Sequence, residues 1–327
     1  MQVQAYVGID VSKKTLDVCL IQGSGKIYPH IFSNNQAGYK ALISWVRKES
    51  TETICFCMEA TGTFYVALAT FLNEANEFVS VVNPANIKYS GPHGASNKTD
   101  KADAKKIAFY AKHYQPARWA PPSPEHQLLT ALVRHRDMLI EERTKNETRL
   151  KTPELVAPVQ TSIEQILKVL NEQIKLTDDK IRDHINKNDG LKDDFELLKS
   201  IPGIGDISAA HLLAEMPNPT TCKSASAAAA YAGLAPLKYQ SGTSINRPTK
   251  LSKRGNCELR RAMYFPAITA IRYNPVIADL AKRLEARGKA KMAIVGAAMR
   301  KLIMLAYGVL KTRQFFKYGF TALQVEA

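Results

Sequence analysis

Apolar and polar positions along the first 115 residues fall into short runs with clear punctuation. AYVGIDVS, LDVCLIQG and KIYPHIFSN read as three successive strands, separated by polar turn residues and by Gly23 and Gly25. GYKALISWVRKE has the apolar spacing of an amphipathic helix and is entered through Asn34 and Asn35, both good N-caps. TICFCMEA reads as a buried strand, FYVALATFLNEA as a helix and FVSVVNP as a strand. A further helix starts near Thr99 and runs to about His113. Three strands followed by alternating helices and strands imply a mixed sheet covered by helices.

The pattern then changes. PARWAPPSP, residues 116 to 124, is a linker. HQLLTALVRHRDMLIEERTKNETRL is a long polar helix with Leu128, Leu132 and Leu139 on one side, and Pro153 and Pro158 break it. Thr161 and Glu164 have the spacing of a capping box for the next helix. Within that helix Ile163, Leu167, Leu170, Ile174, Thr177 and Ile181 step alternately by four and three, an a/d seam. Two such helices make a coiled-coil stalk or a helical hairpin, serving to join protomers or to pack on the chain's own domain. From residue 195 the pattern is mostly helical. FELLKSIPGIGDISAAHLLAEM places two apolar helices around a Pro-Gly-x-Gly turn, a helix-hairpin-helix pattern in which Gly203 and Gly205 let backbone N–H groups face a phosphate.

Charge sharpens the picture. The net charge is +15, but residues 241 to 327 hold 17 Lys and Arg against 4 Asp and Glu, whereas the remainder is nearly balanced. Such asymmetry points to a polyanion, nucleic acid first and an anionic membrane surface second. The N-terminus lacks a basic region followed by an apolar run, so no secretory signal is expected. The apolar stretch near the C-terminus is interrupted by Arg300 and Lys301, which leaves pieces too short for a bilayer span, and no membrane partner is expected. Five cysteines form no C-x-x-C pair; Cys55 and Cys57 alternate on a predicted strand as small core residues. A reducing, cytoplasmic setting fits.

The βββαβαβα order matches the ribonuclease-H fold, and in that fold four carboxylates would meet. Asp10 ends the first strand, Glu59 ends another, and Asp100 and Asp103 open the later helix three residues apart, on one helix face. Gathered carboxylates repel and raise one another's pKa unless cations neutralise them. Mg²⁺ takes hard oxygen ligands and keeps waters for a phosphate substrate. Lys98 and Lys101 would attract the phosphate strand. Taken singly, Asp100 also suits a helix dipole and Asp10 a strand-end turn. G-I-D-V-S fits the actin and sugar-kinase ATPases as well, but the second phosphate hairpin which that reading needs is missing from the sequence.

The basic quarter carries a second set of candidates. Residues 239 to 264 hold Arg247, Lys250, Lys253, Arg254, Arg260 and Arg261 around the Ser241-Gly242 turn. Arg forks and Lys point charges bind phosphates. A serine among them can attack a phosphodiester, with Ser244 and Ser252 competing with Ser241 for the role.

Together these motifs carry a resemblance. G-I-D-V-S-K, M-E-A-T-G-T, N-K-T-D-K-A-D-A, I-P-G-I-G and Y-A-G-L-A-P…S-G…S-K-R-G-N…L-R-R-A-M-Y resemble the DEDD transposases of bacterial insertion sequences, the IS-one-ten group, from about residue 5 to 313. The resemblance implies a RuvC-like α/β domain over residues 1–120, a helical coiled-coil connector over 121–194, and a mainly α transposase domain over 195–327. It implies that Asp10, Glu59, Asp100 and Asp103 bind Mg²⁺, and that Ser241 attacks DNA to form a phosphoserine link. It implies donor and target DNA and a structured guide RNA as partners. A homodimer or homotetramer is implied too, with a site composed from the RuvC-like domain of one subunit and the transposase domain of another, in the bacterial cytoplasm with the nucleoid. A water-using junction nuclease and a non-catalytic nucleic-acid-binding protein are the rival readings of the same residues.

Overall fold

The computed structural model describes residues 4–50, 53–60, 64–84, 86–87, 100–216, 222–241 and 245–318, without the side chains of 238–239, 241 and 245–248. The chain divides into two compact units, Met1–Pro122 and Ser123–Ala327.

The first unit contains β1 (Ala5–Val11), β2 (Thr15–Ile21), β3 (Ile27–Ser33), α1 (Gln36–Glu49), β4 (Ile54–Glu59), α2 (Tyr65–Glu74), β5 (Phe78–Val82) and α3 (Asp100–Tyr114). The sheet runs β3-β2-β1-β4-β5. β1, β2 and β3 are antiparallel neighbours, whereas β4 is parallel to both β1 and β5. This is the ribonuclease-H arrangement. Asn35 caps α1 by accepting from the Gly38 N–H at 2.9 Å, and Asn34 instead donates to the Ser12 carbonyl at 2.7 Å.

Period-two alternation sorts the central strands between two cores. Val7, Ile9, Phe56 and Met58 pack with Leu42 and Val46 of α1 and Leu68 and Leu72 of α2. Tyr6, Cys55 and Cys57 face the other way, onto Ile107 and Ala111 of α3. Cys55 and Cys57 are therefore core residues. Burial pushes the Cys55 thiol up to about 11 and raises that of Cys57 as well. The open edge at β5 is covered by the outgoing chain, where the Trp119 N–H donates to the Val79 carbonyl at 2.7 Å.

The second unit holds α4 (Pro124–Leu150), α5 (Ala157–Asn186), α6 (Asp189–Lys199), α7 (Asp206–Glu215), α8 (Ala225–Tyr231), β6 (Pro236–Ser241), β7 (Ile245–Leu251), α9 (Cys257–Ala262), α10 (Tyr264–Tyr273), α11 (Pro275–Ala286) and α12 (Lys291–Thr312). α12 is long and apolar enough to cross a membrane. Its Leu302, Ile303, Leu305, Ala306, Tyr307 and Val309 are instead fully buried in this unit's core. Each such aliphatic side chain contributes about 1.5–3 kcal/mol by leaving water.

α4 and α5 form an antiparallel hairpin, tied by Arg136 to Asp178 and by His184 Nε2 to the Glu125 carbonyl at 2.8 Å. Ile163, Ile174, Thr177 and Ile181 of the seam are buried. On α4 the fully buried positions are Leu129 and Val133, while Leu128 is exposed. The capping box fails. Pro158 stands in the first turn of α5, where its missing N–H leaves no bond unmade, so the helix starts earlier. Thr161 lies inside it, donating to the Ala157 carbonyl at 3.0 Å. The β6–β7 hairpin is the element that apolar periodicity does not reveal, since INRPTKL alternates no apolar face and contains Pro248.

His211, in α7, meets acceptors at both ring nitrogens. Nδ1 lies 2.8 Å from the Ile207 carbonyl and Nε2 lies 2.9 Å from an Asp137 oxygen. Only an imidazolium donates to both. Burial opposes the charge, but the Asp137 hydrogen bond and charge together with the Ile207 carbonyl outweigh it and raise the His211 pKa. A folded pKa above the unfolded value of 6.5 gives stability that is complete below 6.5 and lost as pH rises through the folded pKa. The melting temperature of the full chain is therefore expected to fall more steeply than that of Asp137→Asn as pH rises above 6.5. Parallel pH profiles in differential scanning calorimetry would contradict the pairing.

Candidate active site

Helix α3 brings two carboxylates to a strand end because the sequence lets it approach closely. Gly8 lies beneath it: a Cβ there would stand 2.2 Å from both the Ala104 carbonyl oxygen and the Ala108 nitrogen. Ala104, Ala108 and Ala111 are fully buried on the face that meets the sheet. Asp100 lies four residues before Ala104, so it continues that face by one turn, about 6 Å. Asp10 lies two residues beyond Gly8 on the same face of β1, about 7 Å along the strand. The contact at Gly8 thus sets Asp100 over Asp10.

The strand registers complete the cluster. Ile9 pairs with Met58 in the parallel β1–β4 ladder, so Asp10 and Glu59 follow as neighbours. Asp10 pairs directly with Asp17 across the antiparallel β1–β2 ladder. The electrostatics record the convergence: burial, then the charges of Asp100, Asp103, Glu59 and Asp17, raise the Asp10 pKa to about 6. Burial and Asp100 raise that of Asp17. Asp103 is countered by Lys106, whose Nζ donates to it at 2.8 Å.

The acidic residues are therefore brought together at one edge of the sheet, as side chains within electrostatic reach of Asp10. Among the described residues no three His, Cys, Asp or Glu side chains are close enough to clasp an ion by themselves. The donor set nonetheless suits a hard divalent cation: all donors are carboxylate oxygens, and their mutual repulsion is what a cation relieves. Lys101 is exposed beside Asp100 on the first turn of α3, and Lys98 lies outside the described residues. Asp17 was missed by sequence reasoning. Counting back across the Ser12–Lys14 turn would have set it opposite Asp10, and the alternation of LDVCL puts it on the Cys19 face.

In the second unit, Ser241 ends β6 with its backbone paired to Ile245, and its side chain is not described. Arg247 is on β7, its side chain likewise outside the described residues. Lys250, Lys253 and Arg254 are exposed along the outgoing strand and loop. That loop, Ser252 to Asn256, is stitched to the segment after α8. Ser252 N–H donates to the Ala235 carbonyl (2.8 Å), Lys253 N–H to that of Gly233 (2.9 Å) and Asn256 N–H to that of Tyr231 (2.6 Å). Arg260 faces inward to the Ala232 carbonyl at 3.1 Å, and Arg261 pairs with Glu141. Beneath the loop Glu215, only 5% exposed, accepts from Arg134 Nε at 2.7 Å and from Asn256 Nδ2 at 2.7 Å. This anchor also went unseen in the sequence, since its three members are scattered over 122 positions.

Gly203 has φ +103° and sits against Ala270 of α10, so the hairpin between α6 and α7 packs on this unit's own core. Gly205 opens α7 with free space around it, and Asp206 beside it pairs with Lys199 at 3.0 Å.

Two family models match the chain: a DEDD transposase model, described as Transposase, over residues 7–153, and the Transposase IS116/IS110/IS902 family over residues 195–282. The pilin gene-inverting protein of Moraxella bovis is 35% identical over 322 residues, covering 96% of this chain and 98% of that protein. The transposase for insertion sequence element IS1111A of Coxiella burnetii is 25% identical over 298 residues, covering 82% and 78% of the two chains. Among solved structures, RuvC of Thermus thermophilus covers 34% of this chain and 94% of its own, with a TM-score of 0.26 and 15% identity.

Proposed function

The chain belongs to the transposase family of the IS110, IS116 and IS902 insertion elements, and on that premise we propose that this DNA-cutting and rejoining enzyme works through a divalent-cation site at Asp10, Glu59, Asp100 and Asp103 and a serine nucleophile, Ser241. The observation that carries the reading is the meeting of Asp10, Glu59 and the two acids of α3 at one sheet edge, which the β1–β4 register and the close approach of α3 at Gly8 support. Lys106 offsets part of the charge at Asp103, and the repulsion that still reaches Asp10 is what a divalent cation would relieve.

Asp10, Glu59, Asp100 and Asp103 would hold Mg²⁺. When bound, it supplies charge stabilisation for the attacking and leaving oxygens of a phosphodiester. The Ser241 oxygen forms a bond to phosphorus and releases its proton to solvent. The phosphorus–oxygen bond to the neighbouring deoxyribose breaks, and the leaving oxygen takes up a proton. Reversal of that step onto a different strand end rejoins DNA without net hydrolysis. Lys250, Lys253 and Arg254 hold the backbone by charge, which carries no sequence information. Base pairing by a structured guide RNA would then choose the donor and target DNA, and a homodimer or homotetramer would hold both.

The experiment incubates the purified protein with DNA spanning the joined ends of its element, with Mg²⁺ or with chelator. A denaturant-stable protein–DNA adduct is expected with Mg²⁺ only, and none from Ser241→Ala. Equal adduct from that variant removes Ser241 from the role. Free 5′-phosphate ends without any adduct would establish hydrolysis by water instead. Sequencing of co-purified nucleic acid tests the RNA: absence of one enriched structured transcript overturns that part.

A further inference from the structure

The surface of α10 presents aromatic rings to solvent that neither the core nor the chemistry above uses. Phe265 is 75% exposed and Tyr273 is 70% exposed. Phe265 stands edge-on to Tyr264 at 5.3 Å, and the Tyr264 hydroxyl lies 4.0 Å from the sulfur of Met292, itself 65% exposed. Arg272 lies seven residues after Phe265, nearly the same line on the helix. Among the described residues Arg272 makes no ion pair. Residues 257 to 292 hold eight Lys and Arg against three Asp and Glu.

We propose that α10 is a stacking platform for unpaired nucleobases, with Phe265 and Tyr273 under the bases and Arg272 and Lys291 on the phosphates. Charge selects the occupant. A second copy of this chain would set like cations against each other, and an apolar peptide would leave them unanswered. A polyanion with flat apolar faces satisfies both, and every base has such a face. Duplex DNA keeps its base faces inside the stack, so the ligand is single-stranded. Phe265 and Tyr273 are about 12 Å apart along the helix axis, far enough to take separate bases of one strand. The inference stands apart from the serine and the cation site, since neither contributes a residue to it.

The test measures binding of the full chain to fluorescent dT20, rU20 and a 20-base-pair duplex by anisotropy across a salt series. The double variant Phe265→Ala/Tyr273→Ala is expected to lose at least about tenfold in affinity for both single strands, on the scale of one to two stacked bases. Duplex binding should stay within about twofold, and the salt slope should not change, because no phosphate-binding cation is removed. Phe265→Tyr should retain binding, which separates stacking from misfolding. Tighter binding of rU20 identifies RNA as the occupant, and tighter binding of dT20 identifies a DNA strand. Equal loss on duplex and single strand, no loss at all, or a change of sedimentation coefficient in the double variant would each overturn the proposal, the last by making the patch a contact between copies.

Discussion

Replacing Asp10 by asparagine is expected to abolish strand cleavage while raising the melting temperature of the metal-free protein at neutral pH. The two effects have one cause. Asp10 is the partly buried carboxylate on which Asp100, Asp103, Glu59 and Asp17 converge, and each of them makes its charge less welcome. An amide of the same shape removes the repulsion at the centre of the cluster. It also removes a hard anionic donor from the proposed cation site, where several kcal/mol of charge stabilisation would be at stake. At 1.4 kcal/mol per tenfold, cleavage should fall by at least about 10³-fold. DNA binding should persist, because the substitution removes no cation that could hold a phosphate. The checks are a cleavage assay, a filter-binding assay and calorimetry in chelator. Added Mg²⁺ should raise the melting temperature of the wild type and leave that of Asp10→Asn nearly unmoved. A variant that is less stable without metal, and that Mg²⁺ still stabilises, would contradict the cluster's role.

How much of this was legible beforehand depends on the kind of contact. The sheet was readable because each strand declares itself locally: AYVGIDV and ICFCME are short apolar runs carrying β-branched and aromatic residues, the length and composition of buried strands. The convergence of Asp10, Glu59 and the α3 acids followed from the order of strands, since parallel neighbours end on the same edge. Asp17 needed register as well as order, and register is fixed by the turn between β1 and β2, not by composition. The anchor of Glu215, Arg134 and Asn256 is a tertiary hydrogen-bond network with no periodicity to betray it. The β6–β7 hairpin was hidden for another reason: a two-stranded ribbon rich in Lys, Arg and Pro has no apolar face to alternate. Sequence patterns report what a segment does with water. They are silent where polar groups find each other.

Gly8→Val should disable the same site without touching a single acid. α3 crosses β1 where glycine leaves no side chain, and even one methyl carbon would meet backbone atoms of Ala104 and Ala108 at 2.2 Å. Those atoms belong to the helix ladder, so neither can rotate away as a flexible side chain could. The helix must rise, and Asp100 and Asp103 rise with it, while Asp10 and Glu59 stay with the sheet. Overpacking of this kind costs about 1–3 kcal/mol, and contact with backbone on two sides puts it at the upper end. A displacement of about 1 Å in a catalytic group costs about 10²-fold in rate. The expected result is a lower melting temperature, the loss of most Mg²⁺-dependent stabilisation and cleavage reduced by at least that factor. Gly8→Ala is the finer probe, smaller but facing the same two backbone atoms, and should fall between wild type and valine in all three measurements. Should valine at this position leave cleavage and Mg²⁺ stabilisation intact, α3 does not depend on this approach to set its acids over the strand end, and the geometry assigned to the site is wrong.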